Sequence, residues 1–350
     1  MTMRAKIPAT VVTGFLGAGK TSLIRHLLGH ANGRRMALII NEFGELGIDR
    51  EILLGCGDET CSEDDMVELA NGCICCTVAD DFLPTMEKLL ARETPPDHIV
   101  IETSGLALPK PLVKAFAWPE VADRVTVDGV IAVVDSAALA EDRFAAPETW
   151  ALAQAQGAPP PEHDLPLAEV FGDQLACADL VILNKADLVT PDARMRAMHL
   201  AQSGVRGGVK VIETVQGVID PAVPLGLMAA AESQIELRPS HHDGLVSHDH
   251  DDFESFMVPL DEVSSRADFE AAVTRAGSEP GVLRIKGFAA VRGKDMRLAV
   301  QGVGPRLSTY FDRPWRDGET RQGVLVVIGE KGLTRDRIAE ILADASRVEA

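Results

Sequence analysis

Basic residues are scarce in this chain. Lys and Arg together number 34 of 350 residues, against 53 Asp and Glu, which leaves a net charge of −19. A surface this acidic repels phosphate backbones and anionic lipid heads, so nucleic acid and membrane are not expected partners, whereas divalent cations are. Long apolar runs are also missing: no stretch reaches the ~18 uninterrupted apolar residues that a bilayer span requires. The opening MTMRAKIPATVVTGFLGAGK sets basic residues before an apolar stretch. Pro8, Thr10 and Thr13 interrupt it, and its would-be cleavage region falls inside a glycine-rich motif, so a secretory signal is not expected. Cysteines total only six, three of them crowded between residues 73 and 76, which suits a reducing cytoplasm better than a disulfide framework.

What is present is a regular alternation of short apolar runs and amphipathic stretches. ATVVT (9–13), MALII (36–40), HIVIET (98–103), VIAVV (130–134), LVIL (180–183) and VKVIE (209–213) read as buried strands. SLIRHLLGH (22–30), FLPTMEKLLARE (82–93) and PLAEVFGDQLACA (166–178) read as helices between them. Strands apolar throughout, alternating with helices, predict an α/β domain with a mostly parallel sheet over residues 1–225. Residues 141–164, rich in Ala and Pro, form an expected surface insertion, and residues 226–252 an expected His/Asp-rich linker. Over residues 253–350 strand-like runs follow one another with a helix near 265–276 and another near 334–346. That order predicts a smaller α+β domain with an antiparallel sheet.

GFLGAGKT, Gly14 to Thr21, satisfies the G-x-x-x-x-G-K-[ST] pattern between a strand and a helix. The glycines let backbone N–H groups turn toward phosphates, with Gly14, Gly17, Ala18, Gly19 and Ser22 as candidate contacts. Lys20 reaches the β- and γ-phosphates, and Thr21 offers a hydroxyl to magnesium. NKAD (184–187) follows a strand. An Asp carboxylate accepts both N–H donors of guanine's N1 and N2, a pair that adenine does not offer, so Asn184, Lys185 and Asp187 argue for GTP over ATP. ETSG (102–105) ends another strand. Glu102 there is a candidate for ordering magnesium's water shell or the attacking water, competing with a plain solvated acid, and Gly105 admits a backbone N–H to the γ-phosphate. Lys20 and Glu102 are the candidate catalytic residues.

NGCICCT (71–77) holds Cys73, Cys75 and Cys76. Burial as small apolar residues fits poorly after the Asn-Gly turn signal, and a redox pair would have Cys75 competing between its members. Three thiolates on one loop can instead fill three tetrahedral positions and leave a fourth open, as an exchangeable metal requires. Cys56 and Cys61 are a second, less regular pair; Cys177 reads as a core residue. His241, His242, His248 and His250, interleaved with aspartates, are either a weak metal-gathering tract or a solvated linker.

GFLGAGKTSL, NEFGELGID (41–49), NGCICC, ETSG and NKAD occur in this order in the CobW-type P-loop GTPases, and KGF (286–288) and DRPW (312–315) resemble that family's C-terminal domain. The resemblance covers nearly the whole chain. It implies GTP hydrolysis with magnesium, and a Cys73, Cys75, Cys76 metal site that tightens when GTP orders the neighbouring segments. Glu42 and Glu45 lie near enough in sequence to join the cargo metal or magnesium, or are plain exposed-loop residues. It further implies cobalt as cargo for corrin synthesis, with a cobaltochelatase or another metal-receiving enzyme as partner. Thiolates alone favour zinc over cobalt, so zinc is the alternative. A metal-sensing regulatory module and a nucleotide- or metal-dependent dimer are the further expectations.

Overall fold

The computed structural model describes residues 6–31, 33–41, 66–69, 82–144, 166–240, 253–303, 306–316 and 318–346, in two compact units. Among the described residues of the first unit lies a seven-stranded sheet in the order β3-β2-β4-β1-β5-β6-β7. Its strands are β1 (Ile7–Thr13), β2 (Met36–Asn41), β3 (Met66–Leu69), β4 (His98–Glu102), β5 (Val125–Asp135), β6 (Leu180–Asn184) and β7 (Lys210–Glu213). Every pairing is parallel. Helices α1 (Lys20–Gly29), α2 (Leu83–Leu90), α3 (Pro109–Ala115), α4 (Pro119–Ala122), α5 (Ser136–Ala140), α6 (Pro166–Cys177) and α7 (Pro191–Gly204) lie along the connections from β1 to β2 and from β3 onward. The unbroken apolar strands follow from this layout, because a parallel sheet is covered on both faces. All of β4 and β6 is buried. Ala9, Val11, Ile99, Ile101, Val127 and Val130 meet Leu89, Leu112 and Phe116 in one core, each side chain of Val, Ile or Leu size contributing about 1.5–3 kcal/mol by burial.

The chain runs outward from β1 in one direction to β2 and β3, returns through β4, then runs the other way through β5 to β7. Such a reversal opens a crevice beyond the carboxyl ends of the central strands. The register places Val12 beside Glu102, and Asp135 beside Asn184. Four strand ends therefore deliver side chains to one rim.

Residues 226–240, expected in the linker, pack into the first unit. Ala231 and Ile235, on a 3-10 turn over Ala231–Leu237, join the core beneath β5. Arg238 is 1% exposed and pairs with Asp179 at 2.8 Å. The apolar spacing of AESQIEL and a buried cation with its own carboxylate hold this segment, so the unit extends beyond residue 225.

The second unit carries a five-stranded antiparallel sheet, order β11-β10-β9-β12-β8, formed by β8 (Phe253–Leu260), β9 (Val282–Ala289), β10 (Met296–Val303), β11 (Arg306–Pro314) and β12 (Gly323–Glu330). Helices α8 (Arg266–Gly277) and α9 (Arg335–Ala343) supply Phe269, Val273, Ile338 and Leu342 to its core. Gly287 has φ 147°, and a Cβ there would lie 2.1 Å from the Val324 carbonyl oxygen, so the KGF glycine is fixed by strand packing. Phe288 of the same motif lies under the Arg297 guanidinium at 3.4 Å, while Asp312 of DRPW pairs with Arg297 at 2.6 Å. No helix among the described residues is long and apolar enough to cross a membrane.

Candidate nucleotide site

The loop between β1 and α1 takes the form its glycines permit. Gly14, Gly17 and Gly19 have φ of 134°, 71° and 105°, values that L side chains adopt only under strain. Space excludes side chains as well: a Cβ at Gly14 would meet the Val133 carbonyl oxygen at 2.1 Å, and one at Gly19 would meet Asn184 Nδ2 at the same distance. The loop is thus a cradle lined by backbone, at the N-terminus of a ten-residue helix, whose positive dipole end favours an anion. Lys20 is 5% exposed, and its ammonium donates to the carbonyl oxygens of Gly14 (2.8 Å) and Phe15 (3.3 Å). Ser22 is exposed on the first turn of α1.

Glu102 ends β4 and is 4% exposed. Thr21 donates its hydroxyl to this carboxylate, at 3.0 Å to Oε1 and 3.4 Å to Oε2. The sequence alone did not pair these residues; β1–β4 pairing sets Glu102 beside the end of β1, and the loop that follows brings Thr21 of α1 to it. A hydroxyl and a carboxylate side by side are hard oxygen donors of the kind magnesium takes, beside a phosphate cradle, so the residues fit that ion. Gly105 packs against the loop itself, since a Cβ there would lie 2.7 Å from the Leu16 nitrogen.

The NKAD segment reaches the same loop from β6. Asn184 donates from Nδ2 to the Ala18 carbonyl (2.9 Å), and its Oδ1 accepts from the Thr214 hydroxyl (3.2 Å) and the Gly217 N–H (2.9 Å). Lys185, left-handed at φ 61°, donates to the Gly17 carbonyl (2.7 Å) and to Asp135 Oδ2 (2.8 Å). Asp187 is exposed on the 3-10 turn Ala186–Leu188 and is available to a ligand. Asp135, Thr214 and Gly217 were missed by sequence reasoning. Each lies at or just beyond the end of an apolar run, and that position is the signal that would have found them.

The expected metal ligands Cys73, Cys75 and Cys76, together with Glu42, Glu45, Cys56, Cys61 and His241, His242, His248 and His250, lie outside the described residues. Among the described residues no group of three or more His, Cys, Asp or Glu is placed to hold a metal ion. Cys177 is 2% exposed, and burial pushes its thiol up to about 11, so it is a packing residue.

Residues 8–213 match the family described as CobW/HypB/UreG, nucleotide-binding domain, and residues 253–346 match the cobalamin synthesis protein cobW C-terminal domain. The zinc chaperone CobW of a Sinorhizobium species is 52% identical over 330 residues, covering 93% of each chain. The zinc chaperone CobW of Pseudomonas aeruginosa is likewise 52% identical, over 93% of this chain and 88% of its own. The zinc chaperone YjiA of Escherichia coli is 32% identical over 92% of this chain and 94% of its own. The glycine cradle, the Thr21–Glu102 pair and the two matched domains agree: this chain belongs to the CobW/HypB/UreG family.

Proposed function

We propose that this protein is a GTP-hydrolysing metallochaperone that binds its cargo ion at Cys73, Cys75 and Cys76 when GTP is bound and releases it after hydrolysis. The observation that carries the nucleotide half is the convergence on one loop of Lys20, the Thr21–Glu102 pair and Asn184–Lys185. In this reading the backbone of Gly14–Gly19 and the Lys20 ammonium take the phosphate chain, and Asp187 selects guanine through its two N–H donors. Thr21 and Glu102 would hold magnesium, which would supply positive charge to offset that of the phosphate chain. Glu102 is already engaged by a hydroxyl, which favours a role in fixing water near the metal over abstraction of a proton from it. Lys20 and Glu102 remain the proposed catalytic residues, and the reducing cytoplasm that keeps thiolates available is the proposed location.

Zn(II) is the proposed cargo, supported by the names of the relatives and by the affinity order at thiolates. Co(II) for corrin synthesis is the second reading, favoured by the match to the cobalamin synthesis C-terminal domain. The recipient is a metal-receiving enzyme, a cobaltochelatase on that second reading. Competition titration of Zn(II) and Co(II) against chelators, with magnesium and a GTP analogue, decides between them. Saturation by zinc at cellular buffered levels, with cobalt left unbound, is the expected result; the reverse overturns zinc.

A further inference from the structure

Asp135 ends β5 and is 3% exposed, a buried carboxylate that the reading above does not use. Its two oxygens serve different elements. Oδ1 accepts the N–H groups of Ala137 (3.0 Å) and Ala138 (3.1 Å), capping α5. Oδ2 accepts the Lys185 ammonium at 2.8 Å, and the same ammonium donates to the Gly17 carbonyl at 2.7 Å. The adjacent Ser136 hydroxyl donates to the Asn184 carbonyl at 2.7 Å. The end of β5 thus grips both leading residues of the NKAD segment while that segment grips the phosphate loop. Lys185 is held left-handed at φ 61° and ψ 34°, a conformation that costs a residue with a Cβ about 1–2 kcal/mol unless its surroundings fix it.

We infer that Asp135 is a positioning residue for nucleotide binding: through Lys185 it sets the spacing between the base-side loop at 184–187 and the phosphate loop at 14–19. The inference rests on the proposed role of the 184–187 loop in holding the base. Asp135 acts through Lys185: it neutralises the ammonium that bridges the two loops and holds its direction.

The test is a double-mutant cycle on the full-length protein. Asp135→Ser retains an oxygen able to cap α5 but is too short to reach Lys185. Asp135→Asn cannot accept at both sites with one amide oxygen. Lys185→Met keeps the aliphatic stem and removes the ammonium. Each Asp135 variant is expected to weaken GTP binding about tenfold, the loss of one partly exposed charge-assisted bond. The change in kcat is expected to be less than about twofold, because a positioning contact of this kind acts on bound and reacting nucleotide alike. In the Lys185→Met background the same substitutions should add less than about twofold, because coupled residues are not additive. Unchanged GTP affinity in both Asp135 variants overturns the inference. So does weakening by the same factor in both backgrounds, since that is the behaviour of a general structural defect. If Lys185→Met alone leaves GTP affinity intact, the proposed role of the 184–187 loop fails instead, and this inference falls with it.

Discussion

Both units contain buried ion pairs that hold the chain together, Arg238–Asp179 in the first and Arg297–Asp312 in the second, but among the described residues only the first also gathers buried polar groups around a loop. In the first, Glu102 and Asn184 from the ends of two strands meet the glycine loop and the start of α1, where Lys20 lies, and Asp135 at the end of a third holds Lys185 against that loop. In the second, Arg297 and Asp312 pair at 2.6 Å, Arg313 and Glu319 pair at 2.7 Å, and Phe288 covers Arg297. Topology explains the contrast. Parallel strands end together beside the helix N-termini that follow them, leaving polar groups around an open crevice. Antiparallel neighbours run side by side to their turns, and charges between them are satisfied by one another. The KGF and DRPW motifs therefore hold the second sheet together, and similarity of such motifs in a relative speaks of fold before function.

The largest separation between the units is expected from removing one cation in each. Lys20→Ala should lower GTP hydrolysis by at least about 100-fold, the usual scale for losing a charge-stabilising group, with little change in urea unfolding. Arg297→Met should do the converse, leaving Asp312 buried without its cation. A loss of about 3–5 kcal/mol in urea unfolding is expected, with hydrolysis per folded molecule within about twofold of wild type. A hydrolysis defect in Arg297→Met at full folding would break the comparison.

A smaller effect concerns the choice of base. Asp187→Asn presents a donor where guanine's N2 amino group needs an acceptor, so the preference for GTP over xanthosine triphosphate should fall by about 10- to 100-fold, the worth of one or two charge-assisted bonds. Competition binding measures it; an unchanged preference would remove Asp187 from the site.

The smallest expected effect is on acid stability. Burial pushes His98 down to about 4 from 6.5, with the nearby Asp128 charge opposing. The unfolded chain then takes up a proton that the folded chain refuses, so the contribution of neutral His98 is lost as pH falls from about 6.5 to about 4. The hydrogen bond from Arg313 holds Glu319 down at about 2 against a usual 4.5, so its contribution is lost only between about pH 4.5 and 2. Peptide-resolved hydrogen exchange should show the first unit loosening at higher pH than the second, and His98→Gln should narrow the gap. Simultaneous loosening would contradict the assignment.

Much of this was legible in the sequence for definite reasons. LVIL and HIVIE are apolar throughout because their strands are buried on both faces, and Lys20, Thr21 and Asn184 sit in motifs with fixed spacing. β3 escaped notice because MVEL is four residues long with a charge inside it. α7 escaped because its buried face is narrow, with Ala197 and Ala201 its buried residues. The ends of apolar runs mark where Asp135 and Thr214 lie, but which of these single residues meet Asn184 and Lys185 is set by the pairing of distant strands and the turn after β7, which no local pattern encodes. The run from 226 to 240 looked like a linker because its anchor, Arg238, has its partner Asp179 far away in sequence.

In the proposed mechanism, nucleotide controls the thiolate site. Zn(II) affinity, measured by chelator competition with magnesium and either a GTP analogue or GDP, on the wild type and on the Cys73, Cys75, Cys76 triple serine variant, reads that control out. Affinity is expected to be at least about tenfold tighter with the GTP analogue, a coupling within the ordinary range between two sites, and that tight binding is expected to be lost in the variant. Zn(II) affinity indifferent to the nucleotide, or unchanged without the three thiols, would contradict it.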